Sequence, residues 1–340
     1  MCLAMRFNRQ SIHKPTYSPI PKSLITKSPI PKSPIMTDNN SHWIELTQAP
    51  QAPSQGVTVV QTLSGCESLP RKSSNSSKSS NDAVGQSSLN AMYGQFNLGL
   101  HVGDDSMQVH QNRAHLLQSL QHYHPAINSI HWLNQIHGND IYQVTDKIGT
   151  AAISADAHIT RLPNVALAIM TADCVPVMIA TDAADDNKLI AAIHAGWQGL
   201  SKDIIAKTVQ KMVHQFDFAA GDNAPAEMHK VTRGWQAWIG ASIAQSSYEV
   251  DSRVKDAVLS VLNVSEVVAT QLFQPNADKV GHYFADLPAI AELQLKACGI
   301  HQVHKSGLDS HGDARFYSYR RQTQHQLPAT GRMATLIFMD

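Results

Sequence analysis

The chain has 340 residues, 43% hydrophobic and 16% charged, enough for one large domain or two ordinary ones of a globular protein. Lys+Arg 27 balances Asp+Glu 27, which removes the electrostatic footprint expected of a nucleic-acid or anionic-membrane binder. No apolar run approaches the roughly 20 residues of a membrane span. Four scattered cysteines (Cys2, Cys66, Cys174, Cys298) form no CxxC pair, so a disulfide framework is not expected.

The start, MCLAMRFNRQ, lacks the apolar segment of a secretory signal, and the expected location is the cytoplasm. Residues 1–56 read as a disordered Pro/Ser-rich extension, because the repeated Ser-Pro-Ile-Pro-Lys unit removes backbone donors and favours extended chain. A catalytic domain is expected over 57–340, beginning with a strand at Val57–Thr62. A serine-rich insertion around 68–90 interrupts it and has too few apolar residues to bury a core.

Phe96–Asp105 (FNLGLHVGDD) is a glycine-punctuated turn region, followed by helical spacing of Val109, Leu116, Leu117 and Leu120 within Ser106–His122. Ile127–Trp132 reads as a strand, after which His137 and Gly138 break two strand-like runs in LNQIHGNDIYQV. Three short apolar runs, Val165–Met170, Val175–Ala180 and Leu189–Ile193, predict buried strands. From Leu200 the period changes: Leu200, Ile204, Ile205, Val209, Met212, Val213 and Phe216 mark one helix face. Trp235–Ile239 and Met333–Met339 read as strands, and Arg253–Leu262 and Leu287–Ala297 as helices, the second stopped by Gly299. Strands and helices mix without strict alternation, so the expected fold is α/β, an α+β sandwich with mixed sheets flanked by helices.

Cys174 and His194 fall at the mouths of neighbouring predicted strands, and His137 at a third strand end. Two imidazoles and a thiolate make a good zinc set, and three protein ligands leave the open position of a catalytic metal. A metal-free alternative uses Cys174 as nucleophile, His194 as base and Asp173 or a nearby amide as orienter, making a thiol hydrolase. A multi-copper oxidase is the poorer reading, because it needs paired histidines and only His122-Tyr-His124 has that form. Spacing alone leaves the first two readings open.

Six strings occur in order: FNLGLHVGDD, QIHGNDIY (Gln135–Tyr142), ADAHIT (Ala155–Thr160), TADCVPV (Thr171–Val177), HAGWQG (His194–Gly199) and FYSYRR with TGRMA (Phe316–Ala334). Together they closely resemble the YfiH family of laccase-domain, or polyphenol-oxidase-like, proteins over roughly Val57 to Met339. The resemblance implies a zinc site at His137, Cys174 and His194, with copper as the weaker alternative. It implies a purine nucleoside phosphorylase that also deaminates adenosine and cleaves methylthioadenosine; some family members are called peptidoglycan-editing factors. The sequence departs from the family in carrying Gln198 after HAGW, where arginine is usual.

For phosphorolysis, Arg320, Arg321 and Arg332 are the candidate phosphate ligands, since guanidinium binds phosphate bidentately. Asp173 is the candidate orienter or proton carrier beside the metal, and Asn97 a candidate contact to the nucleoside. Trp197 and Tyr319 are candidate stacking partners for a purine, with core packing as the alternative. A purine nucleoside and phosphate are the expected partners, with no nucleic acid and no membrane.

Overall fold

The computed structural model of the protein describes residues 43–46, 56–65, 93–145, 153–182, 187–216 and 225–340. Cys2, Cys66 and the serine-rich insertion lie outside them. Two large mixed sheets face one another, with helices on both outer faces. The first has the strand order β1 (Trp43–Glu45), β2 (Val57–Thr62), β16 (Met333–Met339), β8 (Val165–Thr171) and β3 (Ser129–His131). The second runs β15 (Gln302–Lys305), β11 (Gln236–Ile239), β9 (Val175–Ala180), β10 (Ile190–Ala195), β7 (Ala157–Thr160) and β5 (Ile141–Val144). Two minor sheets complete the described residues: β12 (Glu249–Asp251), β14 (His282–Ala285) and β13 (Phe273–Pro275), and the pair β4 (Leu133–Asn134) and β6 (Ile153–Ser154).

Period two along each strand builds this sandwich. On β8, Val165, Leu167 and Ile169 face the second sheet, where they meet Met178, Ala180, Ala192 and Trp238. Ala166 and Ala168 point the other way, onto Leu116 and Leu120 of α1 (Ser106–Tyr123). β8 to β10 are buried throughout, as strands between packed layers must be, and they read as continuous apolar runs for that reason. The outer face of the second sheet is covered by α3 (Ile204–Val213) and α7 (Leu287–Ala297), through Ile205, Val209, Met212, Ile290, Leu293 and others.

Local chemistry sets the helix ends. The Asp105 side chain accepts from Met107 N at 2.8 Å and caps α1, which ends at Tyr123 before His124. Gly299 adopts φ 86° after α7, with Gly299 N bonded to Lys296 O at 3.0 Å and Ile300 N to Leu295 O at 3.1 Å. That crossed pair closes the helix as the sequence predicts.

Two expectations need correction. Order begins before Val57: β1 pairs antiparallel with β2, Trp43 opposite Thr62, and satisfies the backbone edge that β2 would otherwise expose. The helix face starting at Leu200 is broken in two. Asp203 takes a left-handed conformation (φ 58°) between α2 (Trp197–Leu200) and α3, so the apolar stripe continues while the helix does not.

Candidate metal centre

Register in the second sheet assembles the site. β10 pairs with β9 so that Ala195 lies opposite Val175, and one step further Gly196 faces Cys174. On its other side β10 pairs with β7, Ile193 opposite Ala157, which brings His194 beside Asp156; His194 N donates to Asp156 O at 2.7 Å. The third residue, His137, comes from the loop between β4 and β5, and β5 is parallel to β7.

Cys174 stands where the chain leaves one sheet for the other, between β8 and β9. The elbow is Asp173, whose φ of 105° is strained for any residue with a side chain. Three bonds hold it there: Ile243 N to Asp173 O at 3.0 Å, Ser310 Oγ to Oδ1 at 2.8 Å, and Arg320 N to Oδ2 at 2.6 Å. Asp173 therefore shapes the turn that presents Cys174 and does not bond His194.

The carboxylate that orients His194 is Asp156, which the sequence reading passed over. Its Oδ1 accepts from His194 Nδ1 at 2.8 Å and His137 N at 2.9 Å; its Oδ2 accepts from Gly138 N at 2.6 Å and Ile136 N at 3.3 Å. Three successive backbone N–H groups converge on one buried carboxylate, which requires the left-handed His137 (φ 57°) and a small residue at Gly138. A Cβ on Gly138 would lie 3.3 Å from Asp156 Oδ2. The signal available was a lone carboxylate inside the apolar strand start ADAHIT, a charge that needs partners when buried.

His137, Cys174 and His194 each offer one ligand atom, and these atoms lie within 4.8 Å of one another. The set runs from exposed His137 through partly buried Cys174 to buried His194, so it opens outward on one side. The imidazoles meet edge-on with centroids 4.8 Å apart. Burial opposes ionisation of Cys174, but the charge of His194 and hydrogen bonds from His137 and His194 outweigh it and bring the thiol down to about 6. Burial likewise opposes charge on His194, yet the Cys174 thiolate and Asp156 raise it to about 9. Asp156 is buried as well, and its bonds to His194 and the Gly138 and His137 amides still hold it below its usual range. A sulfur held anionic between two nitrogens, with Asp156 fixing the second ring nitrogen of His194, is the donor chemistry a borderline-soft cation requires. The residues fit a metal ion. Among the described residues this is the one such cluster, whereas multi-copper chemistry needs several.

The remaining predicted site residues divide sharply. Arg332 stands beside the cluster, since the next residue, Met333, pairs with Thr171, and Cys174 and Asp173 favour its charge against burial; its Nη1 reaches Gly331 O at 3.0 Å and Thr330 O at 3.4 Å. Arg320 is turned to backbone, donating to Ser247 O at 3.3 Å and Glu249 O at 3.0 Å with its guanidinium 5.1 Å from the centre of the Tyr248 ring. Arg321 donates to the carbonyls of Ser310 (3.0 Å), His311 (2.7 Å), Asp313 (3.4 Å) and Phe316. It is a clamp on that loop, with its donors taken by carbonyls instead of pointing at the cluster. Asn97 is also fully engaged: Oδ1 accepts from Gly99 N (2.9 Å) and Arg332 N (2.8 Å), and Nδ2 donates to Gly99 O (3.3 Å) and Asp104 Oδ2 (2.8 Å). With its amide hydrogens and oxygen so occupied, it braces a turn and holds Arg332. Trp197 packs on the outer-face core, while Tyr319 is 54% exposed.

A two-sheet sandwich with a His/Cys/His cluster at an inter-sheet elbow defines a class of metal-competent proteins. The family described as "Multi-copper polyphenol oxidoreductase laccase" matches residues 80–340, and the chain belongs to it. A protein of Pseudomonas aeruginosa named purine nucleoside phosphorylase is 32% identical over 251 residues, covering 74% of this chain and 88% of its own. The Escherichia coli protein named purine nucleoside phosphorylase YfiH is 30% identical over 248 residues, covering 73% and 87%. Among solved structures, a Neisseria meningitidis protein of the DUF152 family aligns with TM-score 0.64 at 28% identity, over 88% of this chain and 100% of its own. YlmD from Geobacillus stearothermophilus aligns with TM-score 0.64 at 26% identity, over 90% and 98%. The resemblance read from the six motifs is thus to the family these comparisons find, and the mixed-sheet fold is the one expected. No helix among the described residues is long and apolar enough to cross a membrane.

Proposed function

We propose that the chain is a zinc-dependent purine nucleoside phosphorylase acting on inosine, adenosine or guanosine, and that it also deaminates adenosine and phosphorolyses methylthioadenosine. The observation that carries this reading is the outward-opening His137/Cys174/His194 cluster, in a chain whose relatives are named purine nucleoside phosphorylases. A metal bound there supplies a Lewis acid with an open coordination position.

In phosphorolysis a phosphate oxygen bonds to the anomeric carbon as the glycosidic C–N bond breaks. The electron pair leaves on the purine nitrogen, which takes up a proton. The chain's part is placement. Arg332 is the cation available beside the cluster for phosphate, and Arg320 and Arg321 act instead by fixing the surrounding loops. Asp156 keeps His194 in one tautomer and orientation, and Asp173 keeps Cys174 at the mouth of the site. Tyr319, exposed and within electrostatic reach of Arg332, offers a face to a base.

A second reading is favoured by one observation: Cys174, His194 and Asp156 also line up as nucleophile, base and orienter. The two separate in one experiment. Purified protein is incubated with inosine or adenosine, with and without inorganic phosphate, and the products are chromatographed. Free base and ribose 1-phosphate formed only with phosphate, inosine formed from adenosine without it, loss of both on chelation and about one zinc per chain are expected. No base and no inosine overturns the proposal; activity that survives chelation but not alkylation of Cys174 establishes the thiol enzyme. Copper in place of zinc in the elemental analysis would return the oxidase reading.

A further inference from the structure

The loop Phe96–Asp105 has no regular structure, yet it is braced along its length. Besides the Asn97 bonds, Asn112 Nδ2 donates to Asn97 O at 2.9 Å, Arg113 donates to Leu98 O through Nε (2.9 Å) and Nη2 (2.8 Å), and Tyr93 OH to Val102 O at 2.9 Å. The same loop is fastened to Arg332. Leu98 N donates to Arg332 O at 3.0 Å, Arg332 N to Asn97 Oδ1 at 2.8 Å, and a Cβ on Gly99 would meet Arg332 Cγ at 2.8 Å. The absence of a side chain at Gly99 lets the loop lie directly on the Arg332 stem.

At the tip of this rigid loop stands His101, exposed, with no hydrogen bond to the described residues and no place in the donor cluster. Partial desolvation first, then Arg332, Arg113, His137 and His194, all disfavour a positive charge on its ring. The loop's anchor, Arg332, precedes Met333, which pairs with Thr171 at the strand end that leads into Cys174. An exposed imidazole on a braced loop, tied at Asn97 and Leu98 to the arginine that stands beside the cluster, is placed to receive an anion.

We propose that His101 and Arg332 together form the subsite that holds the oxyanion of phosphate beside the metal centre, which rests on the phosphorolytic reading above. His101 supplies a ring N–H and Arg332 the guanidinium edge away from its Nη1 contacts, two donors on backbone segments tied together by the Leu98 and Asn97 bonds. The brace matters because donors positioned before binding lose little freedom when the anion arrives.

The test uses metal-loaded full-length protein and the variants His101→Ala, His101→Asn and Arg332→Lys. Initial rates are measured against phosphate at saturating inosine, and against inosine at saturating phosphate. His101→Ala should raise the phosphate KM about tenfold, with the inosine KM within about twofold and metal content unchanged. His101→Asn, which retains an N–H donor, should recover part of that loss, and Arg332→Lys should again act on the phosphate KM. A phosphate KM unmoved by His101→Ala, or a rise confined to inosine, overturns the proposal. If wild-type protein releases no base with phosphate, the phosphorolytic reading has failed, and calorimetric titration with inorganic phosphate decides the subsite separately. Binding lost in both His101→Ala and Arg332→Lys upholds it; binding equal in all proteins, or absent from wild type, overturns it.

Discussion

Asp156 Oδ1 lies 2.8 Å from His194 Nδ1, and the same oxygen accepts the backbone N–H of His137 at 2.9 Å. One fully buried carboxylate thus sets two of the three members of the donor cluster, one through its ring and one through its backbone. It also explains why His137 tolerates a left-handed conformation, because the strained turn is the one that aims three N–H groups at Asp156.

Asp156→Asn is expected to weaken metal binding about 10–100-fold, since an amide cannot accept from all four N–H groups with the same strength. Competition with a chelator of known affinity measures it. Wild-type affinity in the variant would mean that the cluster is organised by the sheets alone.

Metal-free protein should show a Cys174 thiolate, followed by its ultraviolet absorbance, with a midpoint at about 6 instead of near 9.0, and His194→Ala should return it upward. The lowered thiol contributes stability that is present above pH 9.0 and lost as pH falls through about 6. The raised imidazole contributes stability that is complete below pH 6.5 and lost as pH rises through about 9. Folding therefore moves a proton from sulfur to nitrogen while the two groups' total uptake hardly changes. The absorbance should shift strongly and the pair's part in the stability–pH curve should be nearly flat between those limits. A thiolate midpoint near 9.0 would contradict the geometry.

Gly196 has an ordinary backbone (φ −69°), so only space constrains it. A Cβ there would stand 3.0 Å from Cys174 Sγ and 3.7 Å from His137 Cδ2. Gly196→Ala should fold, with circular dichroism unchanged, and lose about tenfold or more in metal affinity. Full affinity would show that Cys174 yields freely, against the bonds that fix its elbow.

Arg321→Lys replaces a planar fork serving four carbonyls by one point donor. The expected loss is about 1–3 kcal/mol of folding stability, read by denaturant titration, with the phosphate KM within about twofold. A large rise in that KM at unchanged stability would return Arg321 to the phosphate ligands.

Much of the fold was legible along the chain. Val165–Thr171, Val175–Ala180 and Met333–Met339 are buried on both faces, and such strands are nearly continuous apolar runs, the buried Thr335 hydroxyl being bonded to Gln61. The α7 helix was readable to its last residue because Gly299 terminates it. The break at Asp203 left no trace in the apolar spacing, because Leu200 and Ile204 stay on the same side across it. The three-stranded β12–β14–β13 sheet was missed, being made of three- and four-residue strands too short to show a period, with β12 joined to β14 from about thirty residues away.

The sequence by itself determined the core strands, the flanking helices and the chemical types of the donors, because these follow from local periodicity and side-chain chemistry. Only the tertiary structure decided which carboxylate serves His194 and which arginine stands beside the cluster. Asp156 and Asp173 both lie in turns at strand ends, and Arg320 and Arg321 sit in a short helix while Arg332 leads directly into β16. What separates them is register and the direction of each turn. The pairing of Ala157 with Ile193 sets Asp156 against His194, while carbonyls from a loop ten residues away take up the Arg321 guanidinium.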